Sequence, residues 1–258
     1  MKLQVRDLRF SYQSEQVLDQ IVLEVETGDF VSIVGPNGSG KSTLLRCIDG
    51  ILKTKAGTVL IDGKNITAMS GTVLAQNIAY VPQSEGGGLP ANVFETVLMG
   101  RKPYIAWSPG RDDLQKTAAV IEQLGLEELA LRDINQLSGG QRQKVFIGRA
   151  LAQDTGLILL DEPTANLDLK HQLEVLELLK AQTRKGIAVI AAIHDLNLAA
   201  RYSNKVIMLR EGAIFAAGGP EVLNQENIEH VYEVKVMIIK DKDRLIVVPE
   251  ETAGEKVG

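Results

Sequence analysis

The sequence predicts an α/β fold, in which a mostly parallel sheet with crossover helices carries an antiparallel β subdomain and is interrupted by a helical insertion. Phe30–Val34 and Leu157–Leu160 are short, nearly continuous apolar runs, which are typical of strands buried on both faces of a parallel sheet. Such runs alternate with segments of helical spacing, and this alternation favours strand–helix–strand units. Residues 83–152 have a mainly helical pattern with glycine-rich joints, so we expect them to interrupt the sheet.

The elements before the insertion are mostly strands. Apolar residues alternate with polar ones over Leu3–Tyr12 and Ile21–Val25, as they do in strands with one buried face. The turn-forming residues Thr27–Asp29 then lead into the buried strand Phe30–Val34. The other elements predicted here are a helix over Ser42–Leu52 and strands over Val59–Ile61 and Ile78–Val81.

Within the insertion, Leu114, Ala118, Ile121 and Leu124 lie at helical spacing, and Gly125 is expected to end that helix. The sheet then resumes, with strands predicted at Leu157–Leu160, Ala188–Ile193 and Val206–Leu209 and helices at Leu173–Leu179 and Leu196–Ala200. The tail after Gly218 is expected to form a short helix near Ile228–Tyr232, a hairpin of Val234–Ile239 with Leu245–Val248, and a frayed end from Glu250.

These segments predict one domain over residues 1–258. Residues 1–82 and 153–218 would form the sheet core with its antiparallel subdomain, and residues 83–152 the helical subdomain. Residues 219–258 would form a C-terminal extension of helix and hairpin.

The composition is that of an ordinary globular protein, since 45% of the 258 residues are hydrophobic and 24% are charged. The net charge of -5 provides no broad positive surface, so no nucleic-acid partner is expected. Cys47 is the single cysteine, which excludes an intrachain disulfide and favours a reducing compartment. Met1–Phe10 lacks the apolar core of a signal peptide, and the apolar runs are too short to cross a bilayer. We therefore expect any role at a membrane to be exerted from the cytoplasmic side through a partner.

A glycine-rich segment between a predicted strand and a predicted helix has the pattern of a phosphate-binding P-loop. Its backbone N–H groups would converge on phosphate oxygens at the positive end of the helix. Lys41 would reach the β- and γ-phosphates, and the Ser42 hydroxyl would bind Mg²⁺. The nucleotide-binding residues predicted here are Gly35, Pro36, Asn37, Gly38, Ser39, Gly40, Lys41, Ser42 and Thr43.

Two carboxylates, Asp161 and Glu162, directly follow the apolar run Leu157–Leu160. The strand would place Asp161 at the carboxyl edge of the sheet, beside the phosphate loop. Asp161 is expected to hold Mg²⁺ through water, and Glu162 to polarise the water that attacks the γ-phosphate. The sequence therefore predicts a site for hydrolysis of a nucleotide γ-phosphate at this edge.

The pentapeptide Leu137–Gln141, LSGGQ, precedes a helix predicted over Gln141–Leu151. A hydroxyl, backbone N–H groups and the helix dipole would make it a second anion site, from residues Ser138, Gly139, Gly140 and Gln141. Together with the P-loop and the paired acids, this signature resembles that of the ATP-binding subunits of ABC transporters, over nearly the whole chain. The resemblance implies a P-loop NTPase core with an inserted helical signature subdomain. It also implies a homodimer, in which the signature of one subunit faces the P-loop of the other across ATP.

The resemblance assigns further roles residue by residue. It implies that Gln83 touches Mg²⁺ and senses the membrane partner, and that His194 contacts the γ-phosphate. Tyr12 would stack on adenine. Asp168 ends a loop that would cross the dimer interface, where Ala165 stands in place of the serine of many relatives. The expected catalytic residues are Glu162, His194 and Lys41, and the expected Mg²⁺ ligands are Ser42, Gln83 and Asp161.

Val93–Tyr104 is similar to a stretch in importers of iron-siderophore, haem and cobalamin type, where it adjoins the groove for the permease. Gly86–Gly88, just before it, favours a flexible joint between the two lobes. The resemblance implies a peripheral ATPase on the cytoplasmic face of the cell membrane. Its partners would be two transmembrane permease subunits and, indirectly, an external substrate-binding protein. The cargo is left open among siderophore, haem, cobalamin and an oxyanion.

Two other function classes compete with the importer ATPase. One is an ABC ATPase without a permease, such as a DNA-repair, ribosome or iron–sulfur assembly factor. The chain has no coiled-coil heptads and one nucleotide cassette rather than two, which counts against the first two types but not against iron–sulfur assembly. The other class is a non-hydrolysing regulator that signals by dimerising, which the presence of Glu162 and His194 disfavours.

Overall fold

The computed structural model describes residues 1–83, 91–242 and 244–252. The glycine joint expected at Gly86–Gly88 lies outside these residues. The strands are β1 Leu3–Tyr12, β2 Glu15–Val25, β3 Phe30–Val34, β4 Ala56–Ile61, β5 Lys64–Asn65, β6 Ile78–Val81, β7 Leu157–Asp161, β8 Ala188–Ala192, β9 Lys205–Arg210, β10 Ala213–Gly218, β11 Val234–Asp241 and β12 Arg244–Thr252. The α-helices are α1 Lys41–Ile48, α2 Gly71–Ala75, α3 Val93–Leu98, α4 Arg111–Gln123, α5 Gly139–Ala152, α6 Leu169–Arg184, α7 Leu196–Tyr202 and α8 Gln225–Tyr232.

The predicted mostly parallel sheet is confirmed, and within the described residues it has the strand order β10-β9-β3-β8-β7-β6. Strands β9, β3, β8, β7 and β6 run parallel, and β10 pairs with β9 in the antiparallel sense at one edge. Every residue of β3, β7 and β8 is buried, as their continuous apolar runs predict. Both faces of this sheet are therefore covered by other elements of the fold.

The two faces of the central strands contribute to two different apolar clusters, because successive side chains of a strand point to opposite sides. Ile33, Leu159 and Ile190 pack with α1 and with a second sheet of strand order β2-β1-β4-β5. That second sheet is antiparallel, as predicted. Val34 and Leu160 face the other side, where they pack with α5, α6, α7, α8 and the C-terminal hairpin. Helix α1, which directly follows the glycine-rich loop, therefore lies between two sheets.

The helical insertion has an apolar cluster of its own, formed by α3, α4 and α5. The predicted helix at Leu114–Leu124 is present, and Ile121 and Leu124 are buried as expected. Leu114 and Ala118 are exposed, however, and the buried face carries Asp113 and Thr117 in their place. Burial of Asp113 has a specific cause, since its carboxylate accepts a 3.0 Å hydrogen bond from Nε of the buried Arg101. A buried charge needs such a partner, and here the ion pair sets which helix face is turned inward.

Several predicted boundaries are wrong, since α6 spans Leu169–Arg184 rather than Leu173–Leu179 and β2 begins at Glu15 rather than Ile21. Helix α1 ends at Ile48 rather than Leu52, because Asp49 caps it and Gly50 takes a left-handed conformation with φ 75°. Glu250 does not begin a frayed end, since β12 continues to Thr252 and pairs with β11 over its length. Within the described residues, no helix has the length and apolar content needed to cross a bilayer.

Candidate active site

Four of the predicted site segments meet at one edge of the parallel sheet, where four neighbouring strands end. The P-loop follows β3, His194 follows β8, and Asp161 and Glu162 lie at the end of β7. Gln83 follows β6, the next strand in the sheet. Because parallel strands present their carboxyl ends at the same edge, segments far apart in the sequence converge here.

The P-loop backbone takes a path that glycine alone fits at two positions. Gly35 has φ 152°, and a Cβ built on it would lie 2.3 Å from the carbonyl oxygen of Leu209. Gly40 has φ 101°, and its Cβ would lie 2.8 Å from Leu18 Cδ2. The loop also closes on itself, since the Ser39 N–H donates to the Pro36 carbonyl at 3.2 Å. The P-loop is therefore packed tightly on strand β9 and on β2.

Gly40 is the N-cap of α1 and, having no side chain, provides no side-chain cap for the first turn of that helix. The N–H groups there are the donors that an anion uses at a helix N-terminus. A pocket of about 210 Å³ opens over this turn. It is lined by Val17, Asn37, Gly38, Gly40, Lys41, Ser42, Thr43 and Glu162. The pocket thus brings anion donors and an acidic side chain together.

Lys41 is buried and folded back onto the loop, where its ammonium donates to the carbonyl oxygens of Gly35 at 2.8 Å and Pro36 at 2.9 Å. Burial lowers the pKa of Lys41, and the nearby carboxylates of Glu162 and Asp161 oppose that effect. An ammonium has three N–H donors, so one is left for a phosphate oxygen. A phosphate would also supply the anionic partner that a buried ammonium favours.

Ser42 and Asp161 form a second contact across the site. The Ser42 hydroxyl donates to Asp161 Oδ1 at 2.8 Å, and Asp161 is 1% exposed. The Tyr80 hydroxyl donates to Asp161 Oδ2 at 3.3 Å, and Arg46 Nε donates to the Tyr80 hydroxyl at 3.4 Å. Hydroxyl and carboxylate oxygens are the ligands that Mg²⁺ takes beside substrate phosphates, so this pair fits that ion.

Glu162 lies between two polar residues that sequence reasoning had placed in the site. Its Oε1 lies 2.6 Å from His194 Nε2, and its Oε2 accepts a 2.6 Å hydrogen bond from Gln83 Nε2. The Glu162 backbone has φ 53°, and its N–H donates to the Ala192 carbonyl on β8 at 3.2 Å. The carboxylate is therefore held at both oxygens and from the backbone, next to the P-loop pocket. The structure brings Gln83 to Glu162 rather than to the Ser42–Asp161 pair.

The signature residues form the start of α5. Ser138 is the N-cap, and its hydroxyl accepts the Gln141 N–H at 3.3 Å while Gln141 Oε1 accepts the Ser138 N–H at 3.1 Å. Gly140 lies against the ring of His171, because a Cβ built on Gly140 would approach its Cγ and Cδ2 atoms to 2.5 Å. None of the residues that line the P-loop pocket belongs to this signature.

Asp168 links the predicted interface loop to the same histidine. It caps α6, and its Oδ1 accepts the His171 backbone N–H at 2.9 Å and lies 2.7 Å from His171 Nδ1. These contacts, the backbone N–H first, hold the pKa of Asp168 below its ordinary value. The signature and the interface loop thus meet through His171 within one chain.

Tyr12 lies on β1 and is 44% exposed. Its ring packs edge-on against Phe10 with centroids 4.8 Å apart. An exposed ring leaves a face for a base, and adenine stacking on Tyr12 stays a prediction.

Sequence reasoning missed Tyr80, Arg46, His171 and Val17. Tyr80 carried a usable signal, because a phenol within the short buried strand Ile78–Val81 needs a hydrogen-bond partner. The ring of His171 and the side chain of Val17 reach the site only through tertiary packing, so no local pattern marks them.

A family model described as ABC transporter matches residues 18–165. An uncharacterized ABC transporter ATP-binding protein of Methanocaldococcus jannaschii is 50% identical over 96% of this chain and 98% of its own length. The ferric enterobactin transport ATP-binding protein of Escherichia coli (strain K12) is 38% identical over 93% of this chain and 90% of its own length. The cobalamin import ATP-binding protein of Halobacterium salinarum is also 38% identical over 93% of this chain, which spans 61% of that longer protein.

Solved structures of ABC transporters and ATP-binding cassettes have the same fold as this chain. An inward-facing metal-chelate type ABC transporter contains a chain that superposes with a TM-score of 0.83 at 31% identity, covering 96% of both chains. A dimeric ATP-binding cassette bound to ADP and Pi superposes with a TM-score of 0.74 at 30% identity, covering 84% of this chain and 98% of that one.

Proposed function

The chain belongs to the ABC transporter family, and from this we propose that it is the ATP-hydrolysing subunit of an importer for iron-siderophore, haem or cobalamin. Relatives named for ferric enterobactin and cobalamin import support the cargo class. The metal-chelate type transporter among the solved structures supports the same class. The substrate of the chain itself is ATP, and cargo would be handled by its partners.

The observation that carries this proposal is the position of Glu162, held between His194 and Gln83 at the rim of the P-loop pocket. A carboxylate placed there can accept the proton of a water molecule as that water attacks the γ-phosphorus. The bond from the γ-phosphorus to the bridging oxygen breaks, and ADP leaves with its electron pair. His194 would orient Glu162 and steady the transferring phosphoryl group.

Lys41 and the first N–H groups of α1 would neutralise the charge that builds up on the phosphate oxygens. The Ser42 hydroxyl and the Asp161 carboxylate would hold Mg²⁺, and the Gln83 carbonyl oxygen would be a further ligand. When bound, Mg²⁺ would supply positive charge that offsets the negative charge of the phosphate oxygens. Tyr12 would stack on the adenine base.

A second copy of the chain completes the proposed site. The signature lies on α5, outside the P-loop pocket, so it would serve the ATP on the P-loop of a partner subunit. The dimeric cassette bound to ADP and Pi supports this arrangement. The proposed assembly is a homodimer with two permease subunits, peripheral on the cytoplasmic face of the membrane. An external substrate-binding protein would deliver the cargo.

Glu162→Gln tests the chemistry. The amide keeps the size of the side chain but cannot accept the proton, so phosphate release should fall by roughly 100-fold or more. ATP with Mg²⁺ should then accumulate a dimer in size-exclusion chromatography. Glu211→Gln, on an exposed turn, is the matched control and should hydrolyse ATP as the wild type does. Wild-type hydrolysis by the Glu162→Gln chain, or only monomers with ATP and Mg²⁺, would count against the proposal.

Purification from solubilised membranes separates an importer subunit from an ABC ATPase without a permease. The importer hypothesis expects a multi-span protein to co-purify and to stimulate phosphate release. The chain can be expressed together with its genomic neighbours. If no multi-span protein then co-purifies, the result favours an ABC ATPase without a permease, such as an iron–sulfur assembly factor.

A further inference from the structure

Tyr80 is a polar residue on a short strand whose other residues are apolar. It lies between Ala79 and Val81 on β6, and it pairs in register with Leu159, two residues before Asp161 on β7. Its ring packs against the apolar cluster that contains α1. The ring is therefore packed in the apolar cluster, while the hydroxyl lies next to the Asp161 carboxylate.

The hydrogen bonds around this hydroxyl have a fixed direction. A guanidinium group can donate but cannot accept, so the phenol oxygen accepts the bond from Arg46 Nε. Its single proton is then directed to Asp161 Oδ2. Asp161 Oδ1 receives the Ser42 hydroxyl. Each oxygen of the buried carboxylate thus has one defined side-chain donor.

We propose that Tyr80 and Arg46 are positioning residues for Mg²⁺ binding, which hold Asp161 Oδ2 so that Oδ1 is presented to Ser42 and the metal. This inference rests on the proposed function, because it assumes that Ser42 and Asp161 hold the ion. Outer partners that orient a metal ligand affect metal affinity although they do not touch the metal. Without the phenol, the Asp161 carboxylate would lose one of its two donors and its orientation.

Tyr80→Phe is the direct test, because it removes the hydroxyl and keeps the ring in the core. The affinity of the protein–ATP complex for Mn²⁺, measured by electron paramagnetic resonance, should fall about 10-fold. Binding of a fluorescent ATP analogue in EDTA should stay within about twofold of wild type, since the P-loop donors are unchanged. Tyr202→Phe is the matched control: it removes a hydroxyl that bonds Glu177 at 3.0 Å and should change neither measurement.

Substitutions of Arg46 test the same hydrogen bond from its donor side. Arg46→Lys keeps a group that can only donate, so Mn²⁺ affinity should stay within about threefold of wild type. Arg46→Met removes the donor and should lower Mn²⁺ affinity. The double variant with Tyr80→Phe should bind Mn²⁺ about as weakly as Tyr80→Phe alone, because both changes act through one hydrogen bond.

The outcomes separate this inference from the proposed function. Unchanged Mn²⁺ affinity in Tyr80→Phe, with metal-dependent binding in the wild type, overturns the role of Tyr80 and leaves the ATPase proposal standing. Equal losses with Mn²⁺ and in EDTA would also overturn it, because they would indicate a general packing role. A wild-type chain whose ATP complex binds no divalent metal would overturn both.

Discussion

The ring of His171 lies against Gly140 so closely that a Cβ on this glycine would come within 2.5 Å of two ring carbons. Gly140 belongs to the signature on α5, whereas His171 lies in the first turn of α6. The glycine is therefore required by packing within one chain, in addition to any contact with a nucleotide. His171 also bonds Asp168, so one ring connects the signature to the loop before α6.

Gly140→Ala should lower the free energy of unfolding by about 1–3 kcal/mol, because the added methyl overpacks against the ring. Gly140→Ala combined with His171→Ala should recover part of that loss, since the second change removes the clashing atoms. Urea unfolding of the four chains in a double-mutant cycle measures the coupling. If the two substitutions changed the free energy of unfolding additively, the contact between Gly140 and the His171 ring would be contradicted. Gly139→Ala is the control, because its Cβ would find no atom closer than 4.0 Å.

Ser138→Arg should leave ATP binding by a single chain within about twofold of wild type and lower hydrolysis by roughly 100-fold. The arginine lies away from the chain's own P-loop pocket but would block the sandwich with a partner. Nucleotide titration and phosphate release measure the two effects separately. Ser138→Thr keeps the capping hydroxyl and should retain most activity. Hydrolysis that survives Ser138→Arg would refute the arrangement in which the signature acts on a partner's ATP.

Gly35→Ala should abolish ATP binding, because its Cβ would be 2.3 Å from the Leu209 carbonyl oxygen on a backbone with φ 152°. The loop can relieve that contact only by moving away from strand β9. Gly38→Ala is the matched change, since Gly38 has φ 80° but no atom within 4 Å of its Cβ. It should carry only the strain of a left-handed alanine, about 1 kcal/mol. Equal ATP affinity in both variants, measured by titration, would contradict this account of the loop.

Asp49 should make stability depend on pH. Burial raises the pKa of Asp49 to about 7, from an ordinary value of 3.8, and the residue also caps the negative end of α1. Between these pKa values the folded chain keeps a proton that the unfolded chain has released, so its contribution to stability falls as pH rises. Asp49→Asn carries no such charge and should be more stable than wild type at pH 8, by about 2–4 kcal/mol.

Urea unfolding at about pH 8 and about pH 4 measures this difference. It should nearly vanish at the lower pH, because Asp49 is then protonated in the folded chain and the unfolded chain is close to its ordinary pKa of 3.8. Asp241→Asn, at the exposed end of β11, is the control and should give no such dependence. A constant difference between Asp49→Asn and wild type across pH would contradict the assignment.

Much of the fold could be predicted because the central strands are buried on both faces and their sequences are continuously apolar. The burial of Asp113 on α4 could not be predicted, since its inward position depends on Arg101, a partner outside that helix. The P-loop and the paired acids could also be predicted, because each is a contiguous segment whose residues are recognised from their order along the chain. The pairing of Glu162 with His194 and Gln83 depends on the order of strands in the sheet, which no local pattern specifies.

The described part of the C-terminal extension shares its hydrophobic interior with the sheet core. Ile228 of α8 and Val247 of β12 pack in the same apolar cluster as Val34 of β3, the residue before the P-loop. Asn197 of α7 exchanges hydrogen bonds with the Val247 backbone, at 2.7 and 3.2 Å, as a neighbouring strand would. A truncation at Gly218 would therefore expose Val34 and the apolar cluster behind the P-loop to water, so we expect the residues before it to lose stability when the tail is removed.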